Sequence, residues 1–187
     1  MICGETINLR AVERNDLEQL VRWRNDPEIF RGFFTMFPLS IGAQMGWYED
    51  LLRRTDKKLF LIETKDGQAV GTIGYDHIDW KNQRAEFGNM LVDPVHRGRG
   101  YACDAVRTAL RFGFEQMNLN RVHLEVYAWN QEAMQLYQKC GFVTEGVLRQ
   151  SYFADGKFND TVLMSILRED WRAGGTVGNS ESNRGKR

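Results

Sequence analysis

The sequence lacks a net charge, a long apolar run and a paired-cysteine motif, and each absence excludes a class of protein. Its 25 Lys and Arg residues balance 25 Asp and Glu residues over a length of 187. Because proteins that grip phosphate backbones usually carry a basic excess, we expect no nucleic-acid partner. No stretch approaches the ~18 consecutive apolar residues of a membrane-spanning helix. The amino terminus has no basic region followed by an apolar run, so we expect no membrane partner and a cytoplasmic location.

The cysteines are few and far apart. Cys3, Cys103 and Cys140 include no C-x-x-C spacing. This pattern predicts neither a disulfide framework nor a zinc site, and we expect no metal and a reducing compartment.

The composition indicates one soluble globular domain. Hydrophobic residues make up 42% of the chain and charged residues 27%, which excludes a disordered polyelectrolyte. We expect a domain over residues 1–172. Residues 173–187 contain glycine, serine and charged residues with almost nothing apolar, which predicts a disordered tail.

The first half of the chain predicts a strand, helices and an antiparallel meander. A strand at residues 5–10 is followed by a helix that begins near Asn15 or Asp16 and ends before Pro27. An irregular aromatic stretch over residues 28–43 precedes a helix at residues 44–53. Turn residues then separate three predicted strands. These strands are residues 59–64, 69–78 and 84–92.

The second half begins with a glycine-rich turn that opens a helix. A further strand at residues 121–127 and a short helix from Asn130 follow, and Gly141 suits a left-handed helix end. Residues 142–149 and 157–167 predict a closing hairpin.

The turn at residues 95–102 is the most informative motif. Its Gly98 and Gly100 allow backbone N–H groups to turn inward at a helix N-terminus, which suits a pyrophosphate. The dinucleotide fingerprint G-x-G-x-x-G fails because its sixth position is Cys103, and the P-loop pattern is absent. A tight turn that only starts a helix is the alternative.

With the downstream segment added, residues 5–171 resemble the GNAT family of N-acetyltransferases, in the branch of the ribosomal-protein alanine and spermidine enzymes. Four stretches carry the resemblance, and they are residues 84–92, 97–102, 130–142 and 155–160. The family's acetyl-CoA signature is Q/R-x-x-G-x-G/A, and this chain departs from it with Val95 at the first position.

The resemblance implies an α/β fold of the α+β type. Its single domain would contain a mixed, mostly antiparallel sheet of six to seven strands, splayed between the fourth and fifth and flanked by helices. Acetyl-CoA would be the cosubstrate, with its pyrophosphate on the backbone amides of the glycine turn and its pantetheine arm near Asn130. A backbone N–H near Leu91 would face the acetyl carbonyl. The implied cofactor-binding residues are Leu91, Val92, Arg97, Gly98, Arg99, Gly100, Tyr101, Ala102 and Asn130. Asn130 is also a good helix N-cap.

Tyr137 stands where the family often places its general acid. An ordinary tyrosine titrates near ~10 and a thiol near ~8.5, so protonating the leaving thiolate is uphill by ~2 kcal/mol. We therefore interpret Tyr137 as an orienting donor that can also protonate. A tyrosine packed at a helix end is the alternative.

An amine with a pKa near ~10.4 must lose a proton before it attacks, so a base is needed. Glu86 is our candidate, because it stands at the start of the strand beside the predicted cleft, where some members of the family carry a functional carboxylate. A structural ion pair of Glu86 with Arg84 or Arg121 is an equal alternative. His77 and His123 are weaker candidates, since histidines on strands are more often ordinary packed or exposed residues. Glu125 alternates with apolar neighbours, which predicts a solvated position.

The acceptor stays open among a polyamine, a protein N-terminus, and an amino sugar or drug amine. The aromatic stretch of residues 30–37, with Trp47 and Tyr48, predicts core or a cover over the acceptor side. Three nearby acids are candidates for a polyamine's charges: Glu28, Glu49 and Asp50. We expect direct attack in a ternary complex without a cysteine nucleophile. The sequence itself does not determine the oligomeric state, although homodimers are common among members of the family. A non-catalytic CoA-binding module is the rival function.

Overall fold

The computed structural model describes residues 1–31, 33 and 37–177, and it describes side chains through residue 173. The described residues form eight strands in one sheet and six α-helices. The strands are β1 (Ile2–Cys3), β2 (Ile7–Ala11), β3 (Lys58–Thr64), β4 (Ala69–Asp79), β5 (Arg84–Val92), β6 (Arg121–Tyr127), β7 (Val143–Ala154) and β8 (Lys157–Leu167). The helices are α1 (Leu17–Asn25), α2 (Pro27–Phe30), α3 (Ile41–Arg53), α4 (Tyr101–Glu115), α5 (Gln131–Lys139) and α6 (Arg168–Val177).

The sheet parts in its middle. Its strand order is β1-β2-β3-β4-β5-β6-β8-β7, and all neighbours are antiparallel except β5 and β6. These two strands pair only where Arg84–Glu86 meets Arg121–His123. The predicted splay between the fourth and fifth strands is therefore confirmed, and the extra strand β1 shifts their numbers by one.

Two apolar clusters fix the helices on the sheet. The larger cluster joins α4 and α5 to the sheet through residues such as Val106, Leu110 and Tyr75. The smaller cluster joins α1, α2 and α3 to the sheet around Leu20 and Leu91. The fold class that the resemblance implies is confirmed, because helices flank a mixed sheet.

The boundaries of several strands and helices differ from those that the sequence predicts. β7 runs to Ala154 rather than ending near residue 149, because the irregularity between Leu148 and Tyr152 bends the strand without ending it. α3 begins at Ile41, where the Ser40 side chain caps the helix by accepting from Ala43 N at 3.1 Å.

The predicted tail of residues 173–187 begins inside α6, which continues to Val177. Residues 178–187 lie outside the described residues, so the disordered tail stays a prediction. Among the helices that the structure describes, none is long and apolar enough to cross a membrane.

Candidate active site

A cavity of about 580 Å³ lies where β5 and β6 part. Residues from both strands, from β4, α1 and α2, from the first turn of α4 and from most of α5 line it. Seven of the predicted site residues are among these lining residues. They are Glu86, Leu91, Val92, Arg97, Ala102, Asn130 and Tyr137. The structure thus brings the candidate acid, the candidate base and five of the nine proposed cofactor contacts into one space.

The remaining predicted residues, Gly98 to Tyr101, form the turn that leads into α4. Gly98 and Gly100 have φ angles of +74° and +82°, a region that L side chains rarely adopt. A Cβ atom at either position would meet nothing within 4 Å, so the space beside the turn is open. Among the described residues, none accepts a hydrogen bond from the backbone N–H groups of residues 98–103. These amides, at the positive end of α4, suit an anion such as a pyrophosphate.

The turn is held in place from its N-terminal side. Asp93 directly follows β5, and its side chain accepts from Val95 N at 3.1 Å. Its second oxygen accepts from Trp23 Nε1 of α1 at 2.8 Å. Val95 is 71% exposed, so its side chain is not needed to pack the turn. The departure from the family signature therefore leaves the backbone cradle intact.

β5 contains a bulge at Asn89 and Met90 that faces the cavity. Asn89 has a φ angle of +52°, and the register with β4 shifts beside it. Its Nδ2 donates to Asp76 Oδ2 at 2.7 Å, and its carbonyl oxygen accepts from Thr72 Oγ1 at 2.7 Å. Lys57 Nζ lies 2.8 Å from the other Asp76 oxygen. This network holds the bulge in a conformation that is uncommon for residues other than glycine.

A glycine that sequence reasoning missed supports the same part of β5. A Cβ atom on Gly71 would lie 2.1 Å from the Leu91 carbonyl oxygen. Any larger residue would therefore push β4 away from β5 beside the cavity. The only sequence signal was a glycine within a strand, which often marks a close backbone approach.

Tyr137 is buried on α5, and its ring packs edge-on against Phe142 with centroids 5.5 Å apart. Within the part of the chain that the structure describes, its hydroxyl has no hydrogen-bond partner. Burial raises the pKa of Tyr137 well above its usual range. The phenol therefore stays protonated at neutral pH and is a hydrogen-bond donor at the cavity wall.

Asn130 is placed for both roles that the sequence indicates, the helix N-cap and a contact of the pantetheine arm. Its side-chain oxygen accepts from Ala133 N at 3.1 Å and caps α5. The same residue also lines the cavity. The cap orients the side chain at the helix N-terminus, next to the space where the resemblance places the pantetheine arm.

Glu86 contacts a histidine rather than an arginine. Its Oε2 lies 2.8 Å from His77 Nδ1, and both side chains reach solvent. The predicted alternative partners are wrong, because Arg84 pairs with Asp79 at 3.4 Å and Arg121 pairs with Glu145. A φ angle of +48° at His77, where the register of β4 and β5 is irregular, accompanies this contact.

His123 stands opposite Glu86 on β6. Its Nδ1 is buried and has no hydrogen-bond partner among the described residues. Burial, together with the nearby charge of Arg121, lowers the pKa of His123. Its ring is therefore neutral at pH 7 and contributes no positive charge there.

Acidic side chains are numerous on the cavity wall. Five carboxylates line it, and they are Glu28, Asp76, Glu86, Glu125 and Glu132. Lining cations are fewer, and they are Arg24, Arg31 and Arg97. Glu125 lies between two buried neighbours on β6, as its alternation predicts, and the splay exposes it to the cavity. Its Oε2 accepts from Thr161 Oγ1 at 3.1 Å.

The other predicted acceptor residues divide between the cavity and the surface. Glu49 forms an ion pair with Arg14, and neither Glu49 nor Asp50 is among the cavity-lining residues. Phe33 lines the cavity beneath the Arg24 guanidinium, which lies 4.2 Å from the ring centre. Phe34 lies outside the described residues. No cluster of metal-ligating side chains occurs within residues 1–31, 33 and 37–177.

A parted sheet with an open anion-binding turn beside the gap is the arrangement that the family resemblance implies for an acyltransferase that takes its acyl group from a CoA thioester. Residues 6–143 match the model of the acetyltransferase (GNAT) domain. The chain belongs to this family and is an acetyl-CoA-dependent N-acetyltransferase. The resemblance seen in the sequence and the predicted cosubstrate are thus confirmed.

Several relatives share almost the whole length of the chain. Spermidine N(1)-acetyltransferase of Vibrio cholerae is 29% identical over 165 residues, which cover 88% of this chain and 95% of that protein. YdaF of Bacillus subtilis, provisionally named a ribosomal N-acetyltransferase, is 27% identical and covers 90% of this chain and 94% of its own length. A crystal structure of the Vibrio cholerae enzyme with CoA and spermine has a TM-score of 0.85 at 28% identity, covering 89% of this chain and 98% of that chain.

Proposed function

We propose that the protein transfers acetyl from acetyl-CoA to a primary amine of a polyamine such as spermidine. The observation that carries this proposal is the excess of carboxylates on the cavity wall, five against three cations. A polyamine carries several positive charges at neutral pH, so several carboxylates on the wall of one cavity suit it. The names of the Vibrio cholerae relatives support the same acceptor class.

The backbone amides of residues 98–102 and Arg97 hold the pyrophosphate in this proposal. Asn130 positions the pantetheine arm, and Val92 and Leu91 border it in the gap. A backbone N–H near Leu91 donates to the acetyl oxygen as negative charge develops there. One donor of that kind contributes about 3 kcal/mol to transition-state stabilisation in other acyl-transfer sites.

Glu86 accepts a proton from the ammonium group, directly or through water. The neutral amine nitrogen then attacks the thioester carbon, the C–N bond forms, and the C–S bond breaks. The histidine at 2.8 Å gives the proton on Glu86 a route to solvent, because His77 is 72% exposed. Tyr137 donates a hydrogen bond to the departing sulfur, and the extra proton of the newly bonded nitrogen passes to this thiolate through Tyr137 or water, so that CoA leaves as the thiol.

Direct attack needs no cysteine nucleophile. Burial, together with the neighbouring thiol of Cys103, raises the pKa of Cys140 to about 12. A thiol with that pKa is almost fully protonated at neutral pH and is a poor nucleophile. Neither Cys103 nor Cys140 is among the lining residues of the cavity.

Thiol release from acetyl-CoA in the presence of different amines tests the proposal. We expect release with spermidine to exceed release with an alanine-starting peptide or an amino sugar. Glu125→Gln should raise the KM for spermidine, whereas the matched control Glu49→Gln, which alters an acid outside the cavity, should not. Tight acetyl-CoA binding without release for any amine would favour the non-catalytic module. Preference for the peptide would contradict the polyamine acceptor.

A homodimer stays a prediction, as does the cytoplasmic location. The exposed β7–β8 ribbon at the end of the sheet supports a dimer, because it presents apolar side chains to solvent. Val147, Phe153 and Phe158 are between 54% and 62% exposed. Light scattering of the full chain would give the mass of a dimer if this ribbon pairs.

A further inference from the structure

Two cysteines lie against each other beside the cofactor end of the cavity. Cys103 is in the first turn of α4, and Cys140 ends α5. Their sulfur atoms are 3.6 Å apart, although 37 positions separate them in sequence. A disulfide bond length is about 2.05 Å, so a modest approach of the two helices would join them. Cys3, the third cysteine, is exposed and lies elsewhere.

The two thiols differ in their access to solvent. Cys103 is partly exposed, whereas only 5% of Cys140 is exposed. An oxidant from solvent therefore reaches Cys103 first. Cys140 is within reach as the second, resolving thiol.

We propose that Cys103 and Cys140 form a reversible intramolecular disulfide when the protein meets hydrogen peroxide. The Cys103 thiolate attacks one peroxide oxygen, the O–O bond breaks, and protonation yields a sulfenic acid and water. The protonated thiol of Cys140, whose sulfur lies 3.6 Å from that of Cys103, gives its proton to the sulfenic oxygen as its sulfur attacks the sulfenic sulfur, so the S–S bond forms and a second water leaves. Two electrons pass from the sulfurs to the peroxide, and a dithiol reductant restores both thiols.

The position of this bond links it to the acetyl-CoA site. Ala102, which precedes Cys103, and Tyr137, one helical turn before Cys140, both line the cavity. Closing the sulfur gap moves these two walls relative to each other. A displacement near 1 Å can lower turnover by ~100-fold, so we expect at least a tenfold loss of acetyl transfer. This loss rests on the proposed function, whereas formation of the bond does not.

Intact mass and peptide mapping of the full chain test the bond in the Cys3→Ser background, with hydrogen peroxide as the probe and no CoA present. We expect a loss of two hydrogen atoms and a non-reduced peptide that joins Cys103 to Cys140. Cys103→Ser should abolish the link, and Cys140→Ser should leave a sulfenic acid that a selective carbon nucleophile traps. Free thiols at both positions after peroxide treatment would overturn the proposal.

Acetyl transfer measured before oxidation, after oxidation and after reduction tests the consequence. We expect activity to fall at least tenfold with the link and to return with the reductant. A linked protein with full activity would overturn the effect on the site. A reduced protein without activity would instead contradict the proposed function, and the mass measurement keeps the two failures apart.

Discussion

At the scale of single residues, sequence position identified the candidates but not their surroundings. Tyr137 and Glu86 could be selected because their positions match the family motifs. The burial of Tyr137 and the contact of Glu86 with His77 depend on side chains from other elements. Those distant contacts are what sequence reasoning missed, and they explain why both predicted arginine partners of Glu86 were wrong.

Tyr137→Phe should lower kcat about tenfold, the rate equivalent of one hydrogen bond of ~1.4 kcal/mol. The ring contact with Phe142 remains, so the affinity for acetyl-CoA should stay within twofold of the wild type. Steady-state kinetics and calorimetric titration measure the two quantities. An unchanged kcat would mean that Tyr137 only packs.

The carboxylate that holds the β5 bulge offers a second test. Asp76→Ala removes the acceptor of Asn89 Nδ2 and the partner of Lys57. We expect kcat to fall by about tenfold or more, because the β5 backbone near Leu91, whose N–H is proposed to face the acetyl carbonyl, loses its alignment. The Kd for acetyl-CoA should change little, since residues 98–102 are untouched. A loss of cofactor affinity with normal kcat would contradict this positioning role.

At the scale of elements, periodicity and turn residues predicted most of the sheet. β5 runs over residues 84–92 as predicted, because Asp79 to Gln83 and Asp93-Pro94 bound it clearly. The bulge within it and the approach of Gly71 were not predictable. Both depend on backbone contacts between strands, which leave no periodic signal in one strand alone.

One carboxylate connects α4 to the β1–β2 turn and to the start of β2. Asp104 accepts from the backbone N–H groups of Glu5, Thr6 and Ile7. Burial opposes ionisation of Asp104, but these hydrogen bonds outweigh it and lower its pKa. The strand therefore anchors the helix whose first turn forms the anion cradle.

Asp104→Ala should reduce the free energy of unfolding by about 2 kcal/mol at pH 7, because three backbone donors lose their acceptor. The pKa of Asp104 is lower in the folded than in the unfolded chain. Its contribution is therefore full above the ordinary aspartate value of ~3.9 and is lost as pH falls through the folded value. Denaturant unfolding across pH measures this, with exposed Glu115→Ala on the same helix as control. The account would be contradicted if the difference in unfolding free energy between the wild type and Asp104→Ala grew toward acid pH.

At the scale of the whole molecule, balanced charge conceals an uneven distribution. The net charge is zero, yet the fold gathers five carboxylates around one cavity. Counting acids along the chain could not show this, because Glu125 reaches the cavity only through the splay of β5 and β6. The arrangement of elements, rather than composition, creates the acidic wall.

This distribution predicts that salt raises the KM for the acceptor amine. Raising the ionic strength to ~1 M shortens the Debye length to ~3 Å. The KM for spermidine should therefore rise severalfold, and it should rise more than the KM for a monoamine of similar length. Equal rises in KM for spermidine and for the monoamine would show that the cavity carboxylates do not select a polycation.

The central claim is that the open backbone turn before α4 binds the pyrophosphate of acetyl-CoA. Gly100→Asp adds a carboxylate where the phosphates approach, while Gly156→Asp adds one at a φ of +77° in the β7–β8 turn, with equally open space around it. Calorimetric titration with acetyl-CoA should show a Kd raised by ~100-fold or more, about 2.8 kcal/mol, for Gly100→Asp, and a wild-type Kd for Gly156→Asp. A folded Gly100→Asp protein that binds acetyl-CoA as tightly as the wild type would contradict the account.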